Sequence, residues 1–238
     1  MAKRVLSMTP SELTRLTRED FLSAVAGSEG RVLACETIGI VQPMLADVTN
    51  AEFAASQGAD LILLNMFDVQ KPVVQALPEV PAEETVREVK RLTGRMIGVN
   101  LEPVDDTLAK DNADTIWAMS PGRYATVDNA KRAHEMGVDM LVLTGNPGNG
   151  VSNAAIVSTL SAISKAIGDK IVLCAGKMHA SGVVGEGGEN IITKKDIAAF
   201  AKAGADVILL PAPGTVPGIT TEYIRSLVSY AHSLGKLA

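Results

Sequence analysis

Three stretches of this chain nearly repeat one another: QGADLILLNMFD from Gln57, MGVDMLVLTGNP from Met136 and AGADVILLPAPG from Ala203. Each reads as the end of a helix closed by Gly, a short turn carrying Asp, and then four or five consecutive apolar residues. Between them lie three more apolar runs: RVLACETIG from Arg31, RMIGVNLEP from Arg95 and KIVLCAGKMH from Lys170. Unbroken runs of Val, Ile and Leu, without alternation, are strands covered on both faces, as in a parallel sheet. Helical patterns fill the gaps, at residues 50–57, 83–92, 127–136, 152–167, 193–203 and 221–234. Thr193 with Asp196 three residues on is an N-cap arrangement.

Six βα units in strict alternation admit two architectures, an open doubly wound sheet or a (β/α) barrel. A doubly wound sheet often carries a Gly-rich dinucleotide loop after its first strand. Here the first strand runs into TIGIVQPMLADVTN, which holds no G-x-G-x-x-G. The repeating two-strand unit fits a barrel, whose odd and even strands supply alternate core layers. The expected fold class is therefore α/β, of the (β/α)8 TIM-barrel type, as a single domain over residues 1–238. TPSE from Thr9 is a capping box with Pro at the first helical position, so residues 1–30 are expected to form an N-terminal helical cap. A complete barrel has eight strands, so the chain reads as truncated after six βα units. HSLGK from His232 matches RLTGR before strand three and AIGDK before strand five. That register makes Leu237 and Ala238 the opening of a seventh strand. Residues 236–238 read alternatively as a tail of vector origin. Open barrel edges would expose strands one and six, and a homo-oligomer is expected on that ground.

Composition narrows the function classes. Aromatic residues supply only 3% of the chain, so the core must be built from Val, Ile, Leu, Ala and Met. The net charge is −5 and no basic stripe stands out, which argues against a nucleic-acid partner. Cys35 and Cys174 both sit in apolar runs and read as reduced, buried thiols. No apolar run approaches the roughly 20 residues of a membrane span. The N-terminus lacks the apolar core of a secretion signal, so a cytoplasmic protein is expected.

In barrels of this type, chemistry sits at the C-terminal ends of the strands. Those positions hold Glu36, Asn65, Asp68, Asn100, Glu102, Thr144, Asn146, Lys177 and His179. Lys177 follows VLCAG, where a strand leaves the core. A partly desolvated ammonium there suits a Schiff-base amine, an anion binder, or an ion-pair partner that organises the loop. Glu36, Glu102 and His179 are the candidates for moving protons. His134 and His232 fall on helices and read as solvated surface residues. A metal is conceivable on Glu36, Asp68 and Glu102, with His179, and such oxygen-rich ligands would suit Mg2+ or Mn2+. No spacing motif requires one. Asn65, Asn100, Thr144 and Asn146 are candidate substrate-binding residues. TGNPGNGVSN adds Gly148, Gly150 and Ser152, whose backbone N–H groups at a helix start could hold a phosphate or carboxylate. ASGVVGEGGENIITKKD has the length of an active-site lid.

GGENIITKKDIAAFAKAGADVILLPAPG, residues 187–214, resembles the late βαβ segment of phosphate-binding (β/α)8 barrels. The resemblance implies a phosphate site at the final strand end. Pro211 and Pro213 depart from the small residue and Gly of that pattern, and proline has no N–H to offer. GADLILLNMFD, IGVNLEP and GVDMLVLTGN are in addition similar to BtpA-like barrels. The expected function is an enzyme acting on a small anionic metabolite, phosphorylated or carboxylated, by lyase or isomerase chemistry. The alternatives are a metal-assisted phosphohydrolase and a non-catalytic small-molecule-binding or scaffold barrel. A haloacid-dehalogenase-type nucleophile is excluded, because the first strand ends ACETIG and not Asp-x-Asp.

Overall fold

The computed structural model describes residues 3–105, 119–145, 150–177, 191–215 and 218–238. Six parallel strands form one sheet: β1 (Ala34–Ile38), β2 (Leu61–Asn65), β3 (Met96–Leu101), β4 (Met140–Leu143), β5 (Val172–Gly176) and β6 (Val207–Leu209). Their order across the sheet is their order in the chain. A doubly wound sheet must reverse that order at a switch point, so sequential order decides for the barrel-like winding. The sheet curls as in part of a TIM barrel, with β1 and β6 at its edges.

Helices α1 (Pro10–Leu13) and α2 (Arg18–Gly27) precede the sheet. The crossovers are α3 (Asn50–Ser56), α4 (Thr85–Thr93), α5 (Val127–Glu135), α6 (Asn153–Ile167) and α7 (Lys194–Ala203), and α8 (Thr221–Ser233) follows β6. Side chains fix most of their starts, α4 being the exception, since it follows Glu84 with no side-chain cap. Thr17, Thr49, Thr126, Ser152, Thr193 and Thr220 each accept a hydrogen bond from the backbone N–H three residues on. Each such cap contributes about 1 kcal/mol. The TPSE capping box closes as expected, and Thr193 and Asp196 form another.

Side chains alternate between two cores. Ile62, Leu64, Ile97, Val99, Leu141 and Leu173 pack beneath the crossover helices, among Val86, Ala130, Ile156 and Phe200. The opposite, inner face carries Leu61, Met96, Met140, Val142, Val172 and Cys174. Val5, Leu13, Phe21 and Ala24 from the N-terminal segment cover that face. Leu13 and Phe21 are almost wholly buried, each worth about 1.5–3 kcal/mol of transfer free energy. Cys174 lies here, and burial, with the charge of Asp206, pushes its thiol up to about 12. It is an inert packing group. Cys35 is only partly buried.

The threefold repeat has a physical explanation. Gly58, Gly137 and Gly204 follow α3, α5 and α7 with φ of 100°, 98° and 114°, a conformation other residues adopt only under strain. Each turn then delivers an Asp to the start of the next strand. The Asp60, Asp139 and Asp206 N–H groups donate to the carbonyls of Leu33, Ile97 and Leu173 at 2.7–2.8 Å. Their carboxylates accept in return from the N–H of those same three residues, at 2.9, 2.8 and 3.0 Å. Each Asp therefore clamps the start of one strand to its predecessor. Asp139 also accepts from Lys90 at 2.7 Å and Asp206 from Arg18 at 2.5 Å. Burial raises the Asp139 carboxyl above its ordinary range, against the pull of Lys90.

Leu237 stands where the repeat register puts the opening of a seventh strand. It bridges Val207 in parallel, donating to Asp206 O at 3.0 Å and accepting from Ile208 N at 2.8 Å. Among the described residues, no helix is long and apolar enough to cross a membrane.

Candidate functional site at the C-terminal rim

The strand ends bring several of the expected residues onto one rim. Asn65 is the last residue of β2, and register sets it opposite Ile38 of β1. Its amide donates to Glu36 Oε1 at 2.8 Å, and its own Oδ1 accepts from Met66 N at 2.8 Å. Asn100 of β3 is tied to a neighbouring strand in either amide orientation. One donates to Asn65 Oδ1 at 3.3 Å. The other donates to the carbonyls of Val142 and Thr144 at 2.8 and 3.2 Å. A polar row thus runs from Glu36 through Asn65 and Asn100 to Thr144, above the apolar inner face. Glu36 is exposed, whereas Asn65, Asn100 and Thr144 are half-buried. The Thr144 hydroxyl is buried with no hydrogen-bond partner among the described residues, so its donor awaits an acceptor.

Glu102 stands one residue beyond β3 and is engaged otherwise. Its Oε1 accepts from Arg123 at 2.6 Å, and both side chains are only 7% exposed. The backbone closes the same contact: Glu102 N donates to Arg123 O, and Ala125 N donates to Glu102 O, both at 2.9 Å. Asn129 of α5 holds the turn behind Arg123 through the carbonyls of Pro121 and Tyr124. The second oxygen of Glu102 faces the position of Gly145, where an added Cβ would lie 3.0 Å from it. Arg123 was not legible as a site residue. Its signal was an arginine between Pro-Gly and an aromatic residue, inside a strand-to-helix connection too long to be a simple turn.

Lys177 directly follows β5 and is buried, at 9% exposure. Asp68 does different work. Its Oδ1 accepts from the N–H groups of Gln70 and Lys71 at 2.7 and 2.9 Å. Burial would raise its carboxyl, but hydrogen bonds from Ser120, Lys71, Gln70 and Gly122 outweigh it and hold the group below its usual range. This carboxylate shapes the loop after β2. Ser152 caps α6, its hydroxyl accepting from Ala155 N at 3.1 Å. Gly150 and Val151 pair with the segment after β3, through Asp105 N to Gly150 O at 3.0 Å and a Val104–Val151 bridge. His179, Asn146, Gly148 and residues 180–190 of the expected lid lie outside the described residues. Among the described residues, no group of three or more His, Cys, Asp or Glu side chains is placed to hold a metal ion. Of the expected metal carboxylates, Glu36 bonds Asn65, Asp68 its own loop and Glu102 Arg123.

A family model matches residues 6–238. The chain belongs to the DUF7916 family, a domain of unknown function. No curated protein matches this DUF7916 chain. Among solved structures it is similar to 2,3-dimethylmalate lyase, a member of the PEP mutase/isocitrate lyase superfamily. That likeness has a TM-score of 0.51 at 15% identity and covers 90% of this chain and 69% of the other. A protein from Burkholderia cenocepacia J2315, provisionally assigned as a lyase/mutase, gives a TM-score of 0.51 at 17% identity. There the coverage is 93% of this chain and 72% of that one. These likenesses establish the TIM-barrel-like fold.

Proposed function

We propose that this DUF7916 chain is a lyase or isomerase acting on a small anionic metabolite, phosphorylated or carboxylated, at the C-terminal rim of its sheet. The observation that carries the reading is the polar row from Glu36 through Asn65 and Asn100 to Thr144, set above an otherwise apolar inner face. Within that row the buried Thr144 hydroxyl has no partner among the described residues, which costs stability unless an acceptor meets it. The lyase and mutase names of its fold relatives agree with that chemistry.

Each residue has a role in this reading. Glu36 moves the proton, because its carboxylate is exposed at the rim and oriented by the Asn65 amide. Asn100 and the Thr144 hydroxyl bind the oxygens of the substrate. Lys177 supplies positive charge from a site poorly reached by water, where its attraction for a carboxylate or phosphate is strengthened. The Glu102–Arg123 pair positions the ends of β3 and β4. His179, Asn146 and Gly148 complete the set of proposed substrate-facing residues.

The test is turnover of a panel of small 2-hydroxy and 2-keto carboxylates and their phosphorylated analogues. Loss of turnover in both Glu36→Gln and Lys177→Met is expected. Full activity in both variants, or no turnover across the panel, would sink the proposal. Borohydride reduction during turnover separates the two roles of Lys177. A mass increment on Lys177 marks a Schiff base, and an unmodified lysine marks an anion binder.

A further inference from the structure

The opposite end of the sheet holds a second site that the proposed chemistry does not use. A cavity of about 190 Å3 opens between the N-terminal helices and the starts of β4 and β5. Its wall includes Arg15, Arg18, Lys90, His134 and Lys170, with Asp139 as its acidic member. In a chain of net charge −5, that is a local concentration of positive charge.

The ion pairs account for only part of it. Lys90 is paired with Asp139, and Arg18 with Asp206 and Glu19. Among the described residues, Arg15 and Lys170 have no ion pair. Arg18 Nε is buried and has no hydrogen-bond partner among the described residues. Thr17 and Arg18 also belong to the cavity wall, which brings the start of the ten-residue helix α2 and its positive dipole end to the same place.

We propose that this cavity binds a small phosphate-bearing anion, held by Arg15, Arg18 and Lys170. A tetrahedral dianion matches several convergent N–H donors and excess positive charge better than a single carboxylate does. The volume sets the size, since drug-sized ligands occupy roughly 300–1,000 Å3. This cavity admits inorganic phosphate or a short phosphate monoester. Such a ligand would tie α2 to the starts of β4 and β5 and so hold the N-terminal helices on the inner face.

The experiment uses the full chain with inorganic phosphate and glycerol 3-phosphate as probes, at ionic strength matched with chloride. Arg15 and Lys170 are exposed, so the double variant Arg15→Ala, Lys170→Ala should fold. Phosphate is expected to raise the melting midpoint of the parent and to slow hydrogen exchange over residues 14–21. The double variant is expected to lose at least tenfold in phosphate affinity. Tighter binding of the ester than of phosphate, with the same sensitivity to the variant, would name a monoester as the occupant. Equal affinity in parent and variant, protection confined to the C-terminal rim, or no effect beyond that of chloride would overturn the proposal. Turnover at the rim is not the readout, so this result stands or falls apart from the proposed function.

Discussion

The two ends of the sheet are built by different rules. At the N-terminal end one device recurs three times: a left-handed Gly, then an Asp that exchanges two hydrogen bonds with the preceding strand. Among the described residues of the C-terminal end, no carboxylate device recurs. Glu36 bonds an amide, Glu102 bonds a guanidinium, and Asp68 bonds backbone N–H groups. Repetition marks the end that holds the fold together. Variety marks the end where polar groups are placed one at a time, as expected for a binding or catalytic rim.

That contrast breaks if substitutions at the two ends behave alike. The largest expected effect is on turnover: Glu36→Gln should lower it by about 10²–10⁴-fold, while stability moves by no more than about 0.5 kcal/mol. A comparable loss of stability would make Glu36 structural. Next is Asp139→Ala, which leaves the Lys90 ammonium, at 12% exposure, with the Gly137 carbonyl but without its carboxylate, and should cost about 3–5 kcal/mol in urea denaturation. Asp60→Ala removes the same clamp, which has no cation partner among the described residues, and should cost only about 1–2 kcal/mol. If the two clamps cost the same, the cation adds nothing to the device.

Smaller effects sharpen the rim. Asp68→Asn should cost about 1 kcal/mol, by weakening acceptance from Gln70 and Lys71. The Asp68 carboxyl is held below its ordinary value of 3.8, so its stabilising contribution is present above that pH. It is lost as pH falls through the lower folded value. Protection factors at Gln70 and Lys71, taken against the intrinsic exchange rate at each pH, should therefore fall on acidification below about 3.8 in the parent and stay flat in Asp68→Asn. Thr193→Ala, at a helix start, should cost about 1 kcal/mol by calorimetry with turnover unchanged.

Much of the fold was legible in the sequence because its signals are local. Continuous apolar runs named the six strands, and Thr9 and Thr193 named the starts of α1 and α7. Strand order across the sheet was legible only through the repeat, since pairing joins residues far apart in the chain. The first strand starts later than its apolar run, at Ala34, because Asp60 already clamps Leu33 from outside the ladder. The site was legible as a set of positions. Periodicity showed which polar residues end strands, but side-chain partners depend on distant segments. Glu102 is legible as a candidate for moving protons, but its partner Arg123 is not, because it comes from a separate turn. His134 was read as solvated, yet it is half-buried in the wall of the cavity beside the N-terminal helices.

The Asp clamps also give the sheet a grain. They staple β1 to β2, β3 to β4 and β5 to β6, while among the described residues the β2–β3 and β4–β5 boundaries carry no carboxylate of this kind. Under shear the sheet should behave as three two-strand planks laid side by side. Slip would begin at the two unstapled seams, and Asn65 and Asn100 sit on opposite sides of one of them.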